Sequence, residues 1–90
     1  MKTIKMNVQG CVQGVAFRYT TKMKADERNV HGYAKNLNDG SVEVILQGNE
    51  EEVDDLATIV QRCPSPAGFV TSYTKEVVSN EPQYTHFSVL

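Results

Sequence analysis

The 90-residue sequence has no tryptophan, only two cysteines and three prolines, and no large excess of charge of either sign. Cys11 and Cys63 lack Cys-x-x-Cys spacing, which excludes a zinc knuckle and a disulfide-dense secreted scaffold. A single Cys11–Cys63 bridge stays open, because spacing does not give the Cα separation that decides it. No apolar run approaches the roughly 20 residues of a membrane helix, and the opening MKTIKMNVQG lacks the apolar stretch of a signal peptide. The chain therefore reads as cytoplasmic, with no membrane partner. Nine Lys and Arg against eleven Asp and Glu give a net charge of -2, without the basic surplus expected of a protein that lives on nucleic acid. There is also no low-complexity tract, no long linker, and no acidic pair or histidine cluster spaced for a metal.

What is present fits one soluble globular unit. Hydrophobic residues make up 40% and charged residues 22%, and the length suits a single domain over residues 1–90. Ile4, Met6 and Val8 alternate with Lys5 and Asn7, the two-residue period of a half-buried strand, until Gly10 breaks it. A helix follows from Phe17 or Arg18 to Arg28, with Phe17, Thr21 and Ala25 on one stripe and Tyr19 with Met23 beside it. Asn29 suits a left-handed helix end.

Val30 to Leu46 reads as two strands around Asp39-Gly40, a pair that accepts the positive dihedrals of a type I′ hairpin turn. Asn49, three residues before Glu52, has the spacing of a helix cap. Val53, Leu56, Ala57, Val60 and Cys63 then form an apolar stripe that Pro64 terminates. Phe69 to Val78 is rich in Val, Thr and Tyr and reads as a strand, and Phe87 with Val89 makes a short last one. This βαββαβ order with an added C-terminal strand predicts an α+β, ferredoxin-like (split βαβ) two-layer sandwich. Two strand-helix-strand units then lay both helices on one face of the sheet.

Two places carry candidate chemistry. The segment GCVQGVAFR, Gly10 to Arg18, is a glycine-framed loop between a strand and a helix that ends in a guanidinium. Inward amides, the positive end of the helix and Arg18 can converge on a phosphate or carboxylate. The loop lacks the Lys-Ser/Thr ending of a nucleotide P-loop, and an ordinary turn with a solvent-facing arginine is the plainer alternative. Asn36, near the end of a strand, can hold water by donating and accepting, although an amide is no general base. Satisfying turn hydrogen bonds is its ordinary role.

The two segments together change that weighting. VQGVAFR at 12–18 and GYAKNLNDGSVEVILQG at 32–48 resemble the two signatures of the acylphosphatase family, and the likeness runs along essentially the whole chain. The resemblance implies hydrolysis of the mixed anhydride between a carboxylic acid and phosphate. Arg18 matches the arginine that binds the phosphoryl group. Gln13, Gly14, Val15, Ala16 and Phe17 belong to the loop whose amides surround it, and Asn36 matches the asparagine that positions the attacking water. Neither a metal nor an organic cofactor is implied, and the partners are a small acyl phosphate and inorganic phosphate.

The sequence departs from the family pattern at Arg28, where an apolar residue is expected, and at Asn29, which replaces a common glycine. Both touch packing and the helix end rather than Arg18 or Asn36. Cys11, His31 and His86 read as structural residues, and Glu50-Glu51-Glu52 reads as support for a helix start. Phe17, Tyr33 and Phe87 read as core or boundary residues. Two competing readings remain: a noncatalytic phosphate/carboxylate-binding or partner-binding domain, and an RNA-binding module, which the charge balance and the absence of an aromatic RNP pattern disfavour. A sheet covered by two helices needs no second copy, so a monomer is expected.

Overall fold

Alternating apolar residues become the sheet, and the two helical stripes cover one side of it. A computed structural model describes residues 1–90, in the order β1 (Lys2–Cys11), α1 (Phe17–Glu27), β2 (His31–Asn36), β3 (Val42–Gly48), α2 (Glu50–Gln61), β4 (Phe69–Val77) and β5 (Phe87–Val89). The sheet order is β4-β1-β3-β2-β5, antiparallel throughout except for the parallel β2–β5 pair. β1, β2 and β5 consequently run the same way, and their C-terminal ends share one rim.

Ile4, Met6 and Val8 of β1 meet Val42, Val44 and Leu46 of β3 on the helix-covered face. α1 lies over β2 and β5, and α2 over β1 and β3. Phe17, Thr21 and Ala25 from α1 and Val53, Leu56, Ala57 and Val60 from α2 are all buried there, as the stripes predict. A side chain the size of Leu56, fully buried, contributes about 1.5–3 kcal/mol. Arg28 closes the far end of α1 over α2: its Nε donates to the Asp55 carboxylate at 2.9 Å and its Nη1 to Lys24 O at 3.0 Å. That use explains a charge where an apolar residue is expected. Asn29 adopts the left-handed conformation anticipated for it, with φ 55°.

The other face is closed at one end by the chain itself. Leaving β4 at one sheet edge for β5 at the other, it crosses at Gln47, whose Nε2 donates to Pro82 O at 2.9 Å and whose Oε1 accepts from Tyr84 N at 2.8 Å. Tyr84 then meets Tyr33 edge to face at 6.0 Å, and the Tyr33 hydroxyl donates to Glu43.

Three expectations need correction. The β2–β3 connection is five residues, 37–41, in which Gly40 alone has positive φ, so it is not a type I′ turn. The Asp39 carboxylate accepts from both Ser41 N and Ser41 Oγ, and that local bond selects the wider turn. Cys63 is not on the α2 stripe. It lies beyond the helix with φ 68°, yet still packs against the core. Tyr19 and Met23 do not extend the buried stripe of α1 and stand 63% and 53% exposed, because the sheet covers only the Phe17 side.

Candidate active site

The shared rim of β1, β2 and β5 is where the loop 12–16 turns into α1. Val12 is buried and anchors the loop, after which Gly14 (φ 75°) and Ala16 (φ 62°, ψ 24°) both take left-handed conformations. Gly14 holds its dihedral at little cost, whereas a non-glycine residue such as Ala16 pays about 1–3 kcal/mol, so the surroundings must impose it. They do so from two sides. Gln13 Nε2 donates to Leu37 O at 2.8 Å and to Ser41 O at 2.9 Å, and Ser65 Oγ, beyond α2, donates to Val15 O. Gly68 presses equally close: a Cβ there would overlap Cys11 O and crowd Val15, so this approach needs glycine.

The loop leaves a row of donors open. Thr20, bonded to Ala16 O at 3.0 Å, is the first residue of α1 whose main-chain N–H has an acceptor in the protein; those of Gln13 to Tyr19 have none. No side chain caps α1, and its first turn holds no acid. These amides, together with the positive end of the helix, form a cradle for an anion.

Arg18 and Asn36 arrive from different elements and meet at one atom. Arg18 Nη1 donates to Leu90 O at 2.8 Å, and the Asn36 main-chain N–H donates to the same oxygen at 3.2 Å. Leu90 is held in turn by its N–H on Ala34 O, which continues the β2–β5 pairing. The Tyr19 ring lies 5.7 Å from the guanidinium carbon and limits its swing. Asn36 shares the helix-facing side of β2 with Gly32 and Ala34, and its Oδ1 is buried with no hydrogen-bond partner in the protein. An orphaned buried acceptor costs about 1–3 kcal/mol, which a bound donor such as water recovers.

The remaining candidates lie elsewhere. His31 starts β2, at the rim opposite Asn36, with Nδ1 3.1 Å from Tyr84 O, and His86 is exposed just before β5. Cys11 and Cys63 are free thiols. Asp39 is engaged by the Ser41 hydroxyl and N–H, which hold its carboxyl below the usual range. The largest surface depression, about 660 Å³, lies at the opposite rim beside Met1, Thr3 and Gln47. That depression lies away from the cradle, where an anion needs converging donors rather than volume. The supports of the site supplied by Leu90 O, Ser65 and Gly68 carry no sequence signal: the contacts span distant parts of the chain, and the first is a main-chain atom.

Similarity to known proteins follows the same pattern. A family model described as Acylphosphatase matches residues 4–89. The chain is 40% identical over 90 residues to an acylphosphatase of Lactobacillus johnsonii, covering 100% of this chain and 99% of that protein. A crystal structure of acylphosphatase from Bacillus subtilis superposes with a TM-score of 0.92 at 33% identity, covering 100% and 99% of the two chains. The structure of an acylphosphatase from Coxiella burnetii gives a TM-score of 0.90 at 31% identity, covering 99% and 92% of the two chains. With the match running along nearly the whole chain, in sequence and in fold alike, this protein belongs to the acylphosphatase family.

Proposed function

We propose that this hydrolase of acyl phosphates holds the phosphoryl group with Arg18 and the main-chain amides of Gln13, Gly14, Val15, Ala16, Phe17 and Arg18, while Asn36 positions the attacking water. The observation that carries the assignment is the uncapped start of α1, with its unbonded amides, beside the orphaned Asn36 Oδ1. Water donates one hydrogen bond to Oδ1 and directs a lone pair at phosphorus. The new P–O bond forms as the bond from phosphorus to the acyl oxygen breaks, and the carboxylate departs with the electron pair. The water proton passes to a phosphoryl oxygen, giving inorganic phosphate.

The physical demands of this reaction match the residues. A carboxylate is a good leaving group at neutral pH, so no general acid is required. What remains is orientation and the stabilisation of charge spread over the equatorial oxygens, the work of a guanidinium fork and fixed amides. All these groups come from one chain, which supports action as a monomer. The free thiols Cys11 and Cys63 suit the reducing cytoplasm.

Phosphate release from acetyl phosphate by the intact protein, beside folded Arg18→Ala and Asn36→Ala variants and a no-protein control, tests the reading. Turnover lost in both variants supports it. Saturable phosphate binding without turnover would instead favour a noncatalytic anion-binding domain.

A further inference from the structure

The Gln13 side chain does not point into the cradle that its main chain helps to form. Both hydrogens of its Nε2 are in use, one on Leu37 O at 2.8 Å and one on Ser41 O at 2.9 Å, so this amide nitrogen has none left for a substrate. Those two carbonyls face each other across the mouth of the 37–41 turn, which is also closed by Leu37 N on Ser41 O and Gly40 N on Leu37 O. Leu37 directly follows Asn36, so Gln13 joins the loop 12–16 to the strand end that carries the water-positioning side chain.

We propose that Gln13 is a positioning residue that fixes the phosphate cradle relative to the water on Asn36. The inference rests on the function proposed above and deepens it. Its logic is geometric. The loop is anchored by Ser65 to the segment that follows α2, and Arg18 to Leu90, but neither of these bonds reaches the 37–41 turn. The turn has a further brace, since Asn7 Nδ2 donates to Ser41 Oγ at 3.0 Å, but that bond ties it to β1 rather than to the loop. Losing Gln13 therefore frees the loop from the 37–41 turn, while Ser65 and Gly68 still hold its other side and Leu90 O still joins Arg18 to Asn36, so the amides of the cradle shift against the water. In-line attack is sensitive to such misplacement, because a shift of about 1 Å can cost up to ~100-fold in rate.

The test is steady-state hydrolysis of acetyl phosphate, with inorganic phosphate as competitive inhibitor, by the intact protein and by Gln13→Leu, Gln13→Glu and Ser41→Ala. In Gln13→Leu, kcat is expected to fall about tenfold while KM and the phosphate inhibition constant stay within about threefold. Ser41→Ala breaks the Asn7 brace and the hydroxyl bond to Asp39, but the Ser41 N–H still holds Asp39 and the carbonyl that Gln13 uses is kept, so its kcat is expected to fall less than threefold. Gln13→Glu sets a carboxylate against two carbonyl oxygens and is expected to match Gln13→Leu at pH 7. Its rate relative to the intact protein should then rise as pH falls through the carboxyl range, because the protonated acid regains a donor. Should Gln13→Leu not fold, this pH-dependent rescue decides the question.

An unchanged kcat in Gln13→Leu overturns the proposal. So does a KM rise that accounts for the whole loss, a Ser41→Ala defect as large as that of Gln13→Leu, or a Gln13→Glu ratio flat with pH. Turnover abolished in Arg18→Ala but unchanged in Gln13→Leu overturns the positioning role alone, whereas no turnover by the intact protein overturns the function beneath it.

Discussion

The two helices lie side by side on one sheet, yet they begin in opposite ways. At α2, Asn49 Oδ1 accepts from the main-chain N–H groups of Glu51 and Glu52, and three glutamates fill the first turn. Its orphan donors and its dipole are answered within the chain. At α1 the N-cap is a left-handed alanine, no side chain bonds the amides, no acid occupies the first turn, and Arg18 adds positive charge. Stability alone does not account for the second arrangement, since a cap like Asn49 contributes about 1 kcal/mol. The contrast supports the proposal that α1 leaves its first amides free for the phosphoryl group.

The largest effect that would break this comparison lies at α1. Arg18→Ala is expected to lower kcat about 10³-fold, and Asn36→Ala about 10²-fold, with unfolding free energy changed by no more than about 1 kcal/mol. Phosphate-release kinetics and denaturant unfolding on the same samples check both halves; a variant that loses activity only because it unfolds removes the argument. Next in size is a carboxylate moved to the open helix start. Ala16→Asp brings in a residue type that tolerates the left-handed conformation better than alanine, and it should raise the inhibition constant of inorganic phosphate about tenfold. Unaltered inhibition would mean that the anion sits elsewhere.

A smaller effect is expected at the other helix. Asn49→Ala should cost about 1 kcal/mol in chemical denaturation and leave kcat and KM unchanged, because its bonds serve α2 alone. Loss of activity there would erase the distinction between the two starts.

The smallest effects are on pH dependence. Asp39, held low chiefly by the Ser41 hydroxyl, contributes its stability above the ordinary carboxyl value of 3.8 and loses it only as pH falls below that. Tyr84 is pushed up to about 12, first by burial and then by its bond to Glu81, and Tyr33 is raised as well by burial and Glu43. Both tyrosines contribute fully below the ordinary value of 10.0 and lose that contribution as pH rises through their folded values. These groups therefore leave unfolding free energy level between about pH 5 and 9, as measured by denaturant titrations across that range.

The sequence made the α2 start fully legible and the α1 start only in part. Asn49 and Glu52 bond locally, so their spacing alone predicts the cap that is observed. The stripe from Val53 to Val60 was equally plain, because helical period and burial coincide there. Around α1, Gly14 and Arg18 suggested an anion loop, and the family signatures raised Asn36, but what brings Arg18 to Asn36 is Leu90 O at the far end of the chain. The left-handed Ala16 was hidden too: it is imposed by Gln13, Ser65 and Gly68, not by any preference of alanine. The 37–41 turn misled because Asp39-Gly40 has the composition of a tighter turn, and the Ser41 bonds that widen it compete with that preference.

The central claim is that the open amides at the start of α1 receive the phosphoryl group, and amide chemical shifts during titration with inorganic phosphate test it most directly. Saturable shifts are expected in Gln13 to Tyr19 and the Arg18 guanidinium, with the start of α2 silent. Shifts that bypass this segment, or that scatter over the lysines without saturating, would contradict it.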